Sequence, residues 1–121
     1  RFDSLGIGVA ASGTTGHIKA TNDIVAFASS DERLKDNIVE IEDALDKVES
    51  IKGVKFDWND KQEIHEGHDV GVIAQDIEKV LPEIVETRDN GYKAVKYEKL
   101  TALLIQAVKE LSAKVKELEN K

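Results

Sequence analysis

Ser30 and Lys35 are the residues of this chain whose types and spacing could do covalent chemistry. A serine hydroxyl attacks a carbonyl once a base takes its proton, and a neutral lysine amine can be that base. The two stand five residues apart in Ser29-Ser30-Asp31-Glu32-Arg33-Leu34-Lys35-Asp36-Asn37-Ile38, where the composition changes. Before this block the chain is rich in Gly, Ala, Ser and Thr and nearly uncharged. After it, charge is dense and the pattern becomes helical. An amine of ordinary pKa, about 10.4, is protonated at neutral pH, so base chemistry needs burial or a neighbouring cation. Arg33 is near enough in sequence to be that cation. Asp31, Glu32 and Asp36 would oppose it if they faced the amine.

Other constellations are weaker. His65-Glu66-Gly67-His68 places two histidines three apart in a glycine-containing stretch, whereas the zinc-protease pattern needs them four apart on a helix. It reads as a polar loop, and no metal site is expected. His68 is kept as a residue supporting the Ser30 chemistry, and His17 reads as a surface residue. Gly6-Ile-Gly8-Val-Ala-Ala11 mimics a nucleotide-binding turn but no βαβ pattern follows, so no cofactor is expected.

The elements that must position these groups follow from charge and periodicity. Residues 1–30 are neutral overall, residues 31–91 carry 18 acids against 8 bases, and residues 92–121 carry 4 against 7. An acidic middle argues against nucleic acid, which needs a clustered basic face. No apolar run reaches the roughly 20 residues that span a bilayer, so no membrane segment is expected. With no cysteine, disulfides and thiolate metal sites are impossible. Six aromatic residues and no methionine leave little for a large core, which points to an oligomer. The start at Arg1 suggests a piece of something longer.

Residues 1–28 read as short β segments joined by glycine turns: Leu5–Val9, Ser12–Gly16, Ile18–Thr21 and Ile24–Phe27. Asn37 and Glu40 have the spacing of a capping box, and Ile38, Ile41, Leu45, Val48 and Ile51 follow at helical steps. They predict a helix from Ile38 to Ser50. Val54, Phe56 and Trp58 alternate with polar residues as a half-buried strand does, and 59–69 reads as a loop. Asp76–Val80 is a short helix ended before Pro82, and Asp89-Asn90-Gly91 is the turn of a hairpin between Ile84–Thr87 and Tyr92–Val95. From Tyr97 a long helix carries Tyr97, Leu104, Leu111 and Leu118 seven apart, with Thr101, Val108 and Val115 between them. These are the d and a positions of a coiled coil. Val at a with Leu at d favours two strands, while Ile105 and Ala107 widen the stripe toward a larger bundle.

The block Ser30-Asp31-x-Arg33-Leu34-Lys35-x-Asn37-Ile38 resembles the start of the C-terminal intramolecular chaperone domain of phage tailspikes, tail fibres and endosialidases. Phe56-x-Trp58, Gly71-Val-Ile-Ala-Gln-Asp-Ile-Glu-x-Val-Leu-Pro-Glu83 and Tyr92-x-x-Val95-x-Tyr97-x-x-Leu100 extend the likeness. The resemblance implies an α+β homotrimer in three parts. Residues 1–29 would be the end of a β-rich fibre shaft, 30–96 a small α/β chaperone domain, and 97–121 a coiled-coil helix. The seam would run along Tyr97, Leu104, Val108, Leu111, Val115 and Leu118. The family folds its trimeric fibre and then cuts itself off before the motif serine. That implies a single-turnover serine peptidase, with Ser30 attacking the Ser29 carbonyl, Lys35 as base, and Asn37 or the backbone near it helping. Its expected partner is further copies of the same chain, with no small-molecule substrate. The fibre would reside in the virion tail for host attachment, and the chaperone would be released in the host cytoplasm during assembly. The alternative is a trimerisation module of the same fold that is never cut. Folding would be reported if Ser30 and Lys35 met only once shaft and domain were both ordered.

Overall fold

The computed structural model describes residues 4–13 and 16–121 and divides into two units, residues 1–38 and 39–121. In the first unit β1 (Ser4–Ile7) pairs in parallel with β2 (His17–Ala20), Ser4 opposite His17 and Ile7 opposite Ala20. Two of the expected β segments therefore form, each shifted toward the N-terminus. Gly8, at φ 73, turns the chain out of β1 against the Thr21 hydroxyl, where a Cβ would not fit. The expected strand at Ile24–Phe27 does not form; the segment joins no ladder, and Ile24, Val25 and Phe27 are exposed. The expected Ser12–Gly16 segment includes residues 14 and 15, which lie outside the described residues.

The second unit is a small mixed α/β domain with a long C-terminal helix. The alternation at Val54, Phe56 and Trp58 produces β3 (Val54–Asp57), antiparallel to β4 (His68–Gly71) from Val54 opposite Gly71 to Asp57 opposite His68. Phe56 and Trp58 meet edge to face, with ring centroids 4.9 Å apart. The loop ends at Gly67 (φ 85), two residues before the expected boundary, because His68 and Asp69 join the β4 ladder. α2 (Ala74–Val80) stops ahead of Pro82, whose ring cannot continue a helix. β5 (Val85–Thr87) and β6 (Lys93–Val95) form the expected hairpin, Val85 opposite Val95. Gly91, at φ 88, closes its turn by donating to the Arg88 carbonyl at 2.8 Å.

One expectation fails in an instructive way. The helix α1 occupies only Ala44–Glu49, beginning six residues after the expected start at Ile38. Asn37 and Asp43 both lie in the left-handed region, at φ 55 and 52, so no helix can run through them. Glu40 does not close a capping box but accepts from Gln106 Nε2 at 2.8 Å. The first amides of α1 are satisfied from far along the chain: Glu110 accepts from Ala44 N at 2.8 Å and Leu45 N at 3.2 Å. The predicted apolar face survives from Ile41 onward, with Ile41, Leu45, Val48 and Ile51 packed on the core, while Ile38 is exposed.

That core is Ala44, Ile77, Leu81, Ile84, Leu103 and Ala107. Two of these come from α3 (Leu100–Glu119), which therefore has two different faces. Leu100, Leu103, Ala107 and Glu110 lie against the body of their own unit. Leu104, Ile105, Val108, Leu111, Val115 and Leu118 are exposed. Tyr97 sits in the 3-10 turn ahead of α3, and its hydroxyl accepts from the Val72 amide at 3.1 Å.

Candidate functional site

Five residues of extended chain span up to about 17 Å, well beyond the reach of a lysine side chain, so Ser30 and Lys35 can meet only across a turn. Asp31 builds it. Its Oδ1 accepts the Arg33 amide at 2.8 Å, the Asx arrangement that starts a turn, and Glu32–Leu34 then form one turn of 3-10 helix. Leu34 N donates to Asp31 O at 3.0 Å and Lys35 N to Glu32 O at 3.1 Å. Lys35 leaves the turn in extended geometry, and its Nζ donates to Ser30 Oγ at 2.8 Å. Every bond in this turn closes within six consecutive residues. The contacts that bring the two groups together are thus all local in sequence.

The charges are sorted in the same turn. Arg33 donates from Nε and Nη2 to the two Asp31 oxygens, at 3.0 and 2.8 Å. The expected role of Arg33 as the cation beside Lys35 is therefore replaced: its fork is spent on Asp31. That fork, and then the Arg33 amide, hold the Asp31 carboxyl below its usual 3.8. A depressed carboxylate stabilises the turn fully above its ordinary pKa, and the contribution is lost as pH falls through the lowered value. Among the described residues Lys35 enters no ion pair, although Asp31, Glu32 and Asp36 all lie within four residues of it. Ser30 and Lys35 are both exposed.

The remaining candidates are placed as follows. Asn37 lies two residues beyond Lys35, in the left-handed backbone described above rather than at a helix cap. His68, on β4, pairs its Nδ1 with Asp57 Oδ1 at 2.9 Å, and His65 stacks on Trp58 with centroids 4.6 Å apart. Trp58 Nε1 also donates to Asp69 at 3.1 Å, and the Val70 amide, then the indole, lower the Asp69 carboxyl. The histidines thus brace the β3–β4 loop. Sequence reasoning missed Asp31 as the turn builder, though an Asp two residues before the amide it caps is a readable signal. It also missed Glu110, whose place on the Leu100, Leu103, Ala107 stripe marked it as facing inward.

A serine–lysine pair on a local turn, followed by a small α/β unit with a long amphipathic helix, defines a class. Residues 30–86 match the family described as chaperone of endosialidase, and the chain carries a domain of that family. Its relatives include phage long tail fibre proteins. The long tail fiber protein Gp37 of Enterobacteria phage K3 is 47% identical over 103 residues, 78% of this chain and 8% of that protein. The Gp37 of Enterobacteria phage T2 is likewise 47% identical over 103 residues, with the same 78% and 8% shares. That of Enterobacteria phage M1 is 39% identical over 106 residues, 81% of this chain and 41% of that protein. The chain therefore spans less than half the length of each of these relatives.

Proposed function

We propose that the chain from Ser30 onward is an intramolecular chaperone that trimerises and folds a phage tail fibre, then releases itself by cutting between Ser29 and Ser30. In the cut, Ser30 Oγ attacks the Ser29 carbonyl carbon while its proton passes to neutral Lys35. The carbon–nitrogen bond breaks, the proton goes to the departing Ser30 nitrogen, and Ser29 is left as an ester. Water then hydrolyses the ester to the Ser29 carboxylate. The observation that carries this reading is the 2.8 Å contact of Lys35 Nζ with Ser30 Oγ in the segment that opens the family match. The reaction needs this contact with the hydroxyl donating to a neutral nitrogen.

The exposed stripe of α3 supports the assembly half of the proposal. Leu104, Val108, Leu111, Val115 and Leu118 keep heptad spacing on the face turned away from the core. Each such side chain gains on the order of 1.5–3 kcal/mol when fully buried. Copies of the same helix would cover the stripe without disturbing the face that holds α1, and residues 1–29 would be the end of the shaft they align. The fibre would stay in the virion tail for host attachment, and the released part in the host cytoplasm. A second reading, a module that trimerises but is never cut, is favoured by the exposure of Ser30 and Lys35 and by relatives named only as fibre proteins. Denaturing electrophoresis with N-terminal sequencing separates them. A fragment beginning at Ser30 is expected, and a single uncut band leaves the second reading. Light scattering is expected to give a trimer mass, and a monomer or dimer mass rejects the assembly proposal.

A further inference from the structure

In a segment that carries Asp31, Glu32 and Asp36, the Lys35 amine makes its contact with a hydroxyl and, among the described residues, with no carboxylate. Asp31, four residues before the amine, is the acid that opens the turn. It is held at both oxygens by the Arg33 fork, at 2.8 and 3.0 Å. Guanidinium presents two parallel donors that match a carboxylate, which a single ammonium cannot. Both Asp31 oxygens are thus taken by Arg33, and the Lys35 amine is on Ser30 instead. We propose that Arg33 is a positioning residue for self-cleavage: it keeps the Asp31 carboxylate off the Lys35 amine, leaving that amine to Ser30. The proposal rests on the reading of Ser30 and Lys35 as nucleophile and base.

The consequence is electrostatic as well as geometric. Arg33→Ala frees Asp31, which then pairs with Lys35 and favours its charged form. Glu32 and Asp36, the other charged groups flanking the amine in the turn, are unchanged by the substitution. An exposed pair of this kind is worth about a threefold factor, equivalent to a shift of about half a pH unit. The test is the rate of Ser30-terminus formation against pH in the full chain, with trimer mass as the control for assembly. Arg33→Ala should move the midpoint of the profile upward by about that half unit and slow cleavage about threefold below it. Adding Asp31→Asn, which keeps an acceptor for the Arg33-position amide but carries no charge, should bring the midpoint back. A merely structural clamp would lower the rate at every pH without moving the midpoint. That result, or a double variant that keeps the raised midpoint, overturns the proposal. If Ser30→Ala is still cut at the same bond, or the parent chain is not cut at all, the underlying dyad reading fails and this inference with it. If Ser30→Ala stops cleavage and Arg33→Ala leaves the midpoint in place, only the inference fails.

Discussion

The Ser30–Lys35 turn and the start of α1 lie fewer than ten residues apart, yet they are built by opposite means. The turn is closed by bonds between residues two to five apart. The helix start is closed by Glu110, 66 residues from Ala44 and 65 from Leu45. A local device holds its geometry wherever it is placed, which would suit the proposed cut between Ser29 and Ser30. A long-range device forms only when the long helix has packed, so it can tie the register of α3 to the rest of the domain.

Replacing Leu111 by Asp should produce the largest effect. A charge on the exposed stripe is uncompensated once that stripe is buried between helices, so light scattering should fall to a monomer mass. The single-chain fold should persist, since Leu111 lies off the core. Leu103→Ala comes next, truncating a side chain with 0% exposure. It should destabilise residues 39–121 by about 2–5 kcal/mol in chemical denaturation. The Arg33 amide resonance should not move, because its acceptor is within the turn. Glu110→Ala leaves the Ala44 and Leu45 amides without their acceptor and should cost about 1–2 kcal/mol. A change in the Arg33 resonance in either variant would break the contrast between the two regions. The smallest effect belongs to His68→Ala. Its pair with Asp57 is surface-exposed, so stability should change by less than about 1 kcal/mol and cleavage by less than about threefold.

The same contrast explains what could be read in the sequence. The Val54–Phe56 alternation and the Asp89-Asn90-Gly91 turn are local signals, and a strand and a hairpin form there. The Ile38 start of α1 was misjudged because the deciding carboxylate is Glu110 and because Asn37 and Asp43 adopt left-handed backbone. The Ile24–Phe27 strand does not form because a strand needs a partner, and the described residues offer none to that segment. In α3 the heptad stripe was conspicuous. The second stripe through Leu103 and Ala107 was masked by it, since both share one helical period.

The central claim is that Ser30, activated by the lysine five residues on, cuts the bond before it. Mass spectrometry of the purified chain, its Ser30→Ala variant and its Lys35→Arg variant tests it most directly. The account predicts a fragment beginning at Ser30 from the parent chain and none from either variant, with all three assembling alike, because a guanidinium stays protonated and cannot act as base. A Ser30→Ala chain cut at the same bond, or a cut elsewhere, would contradict it.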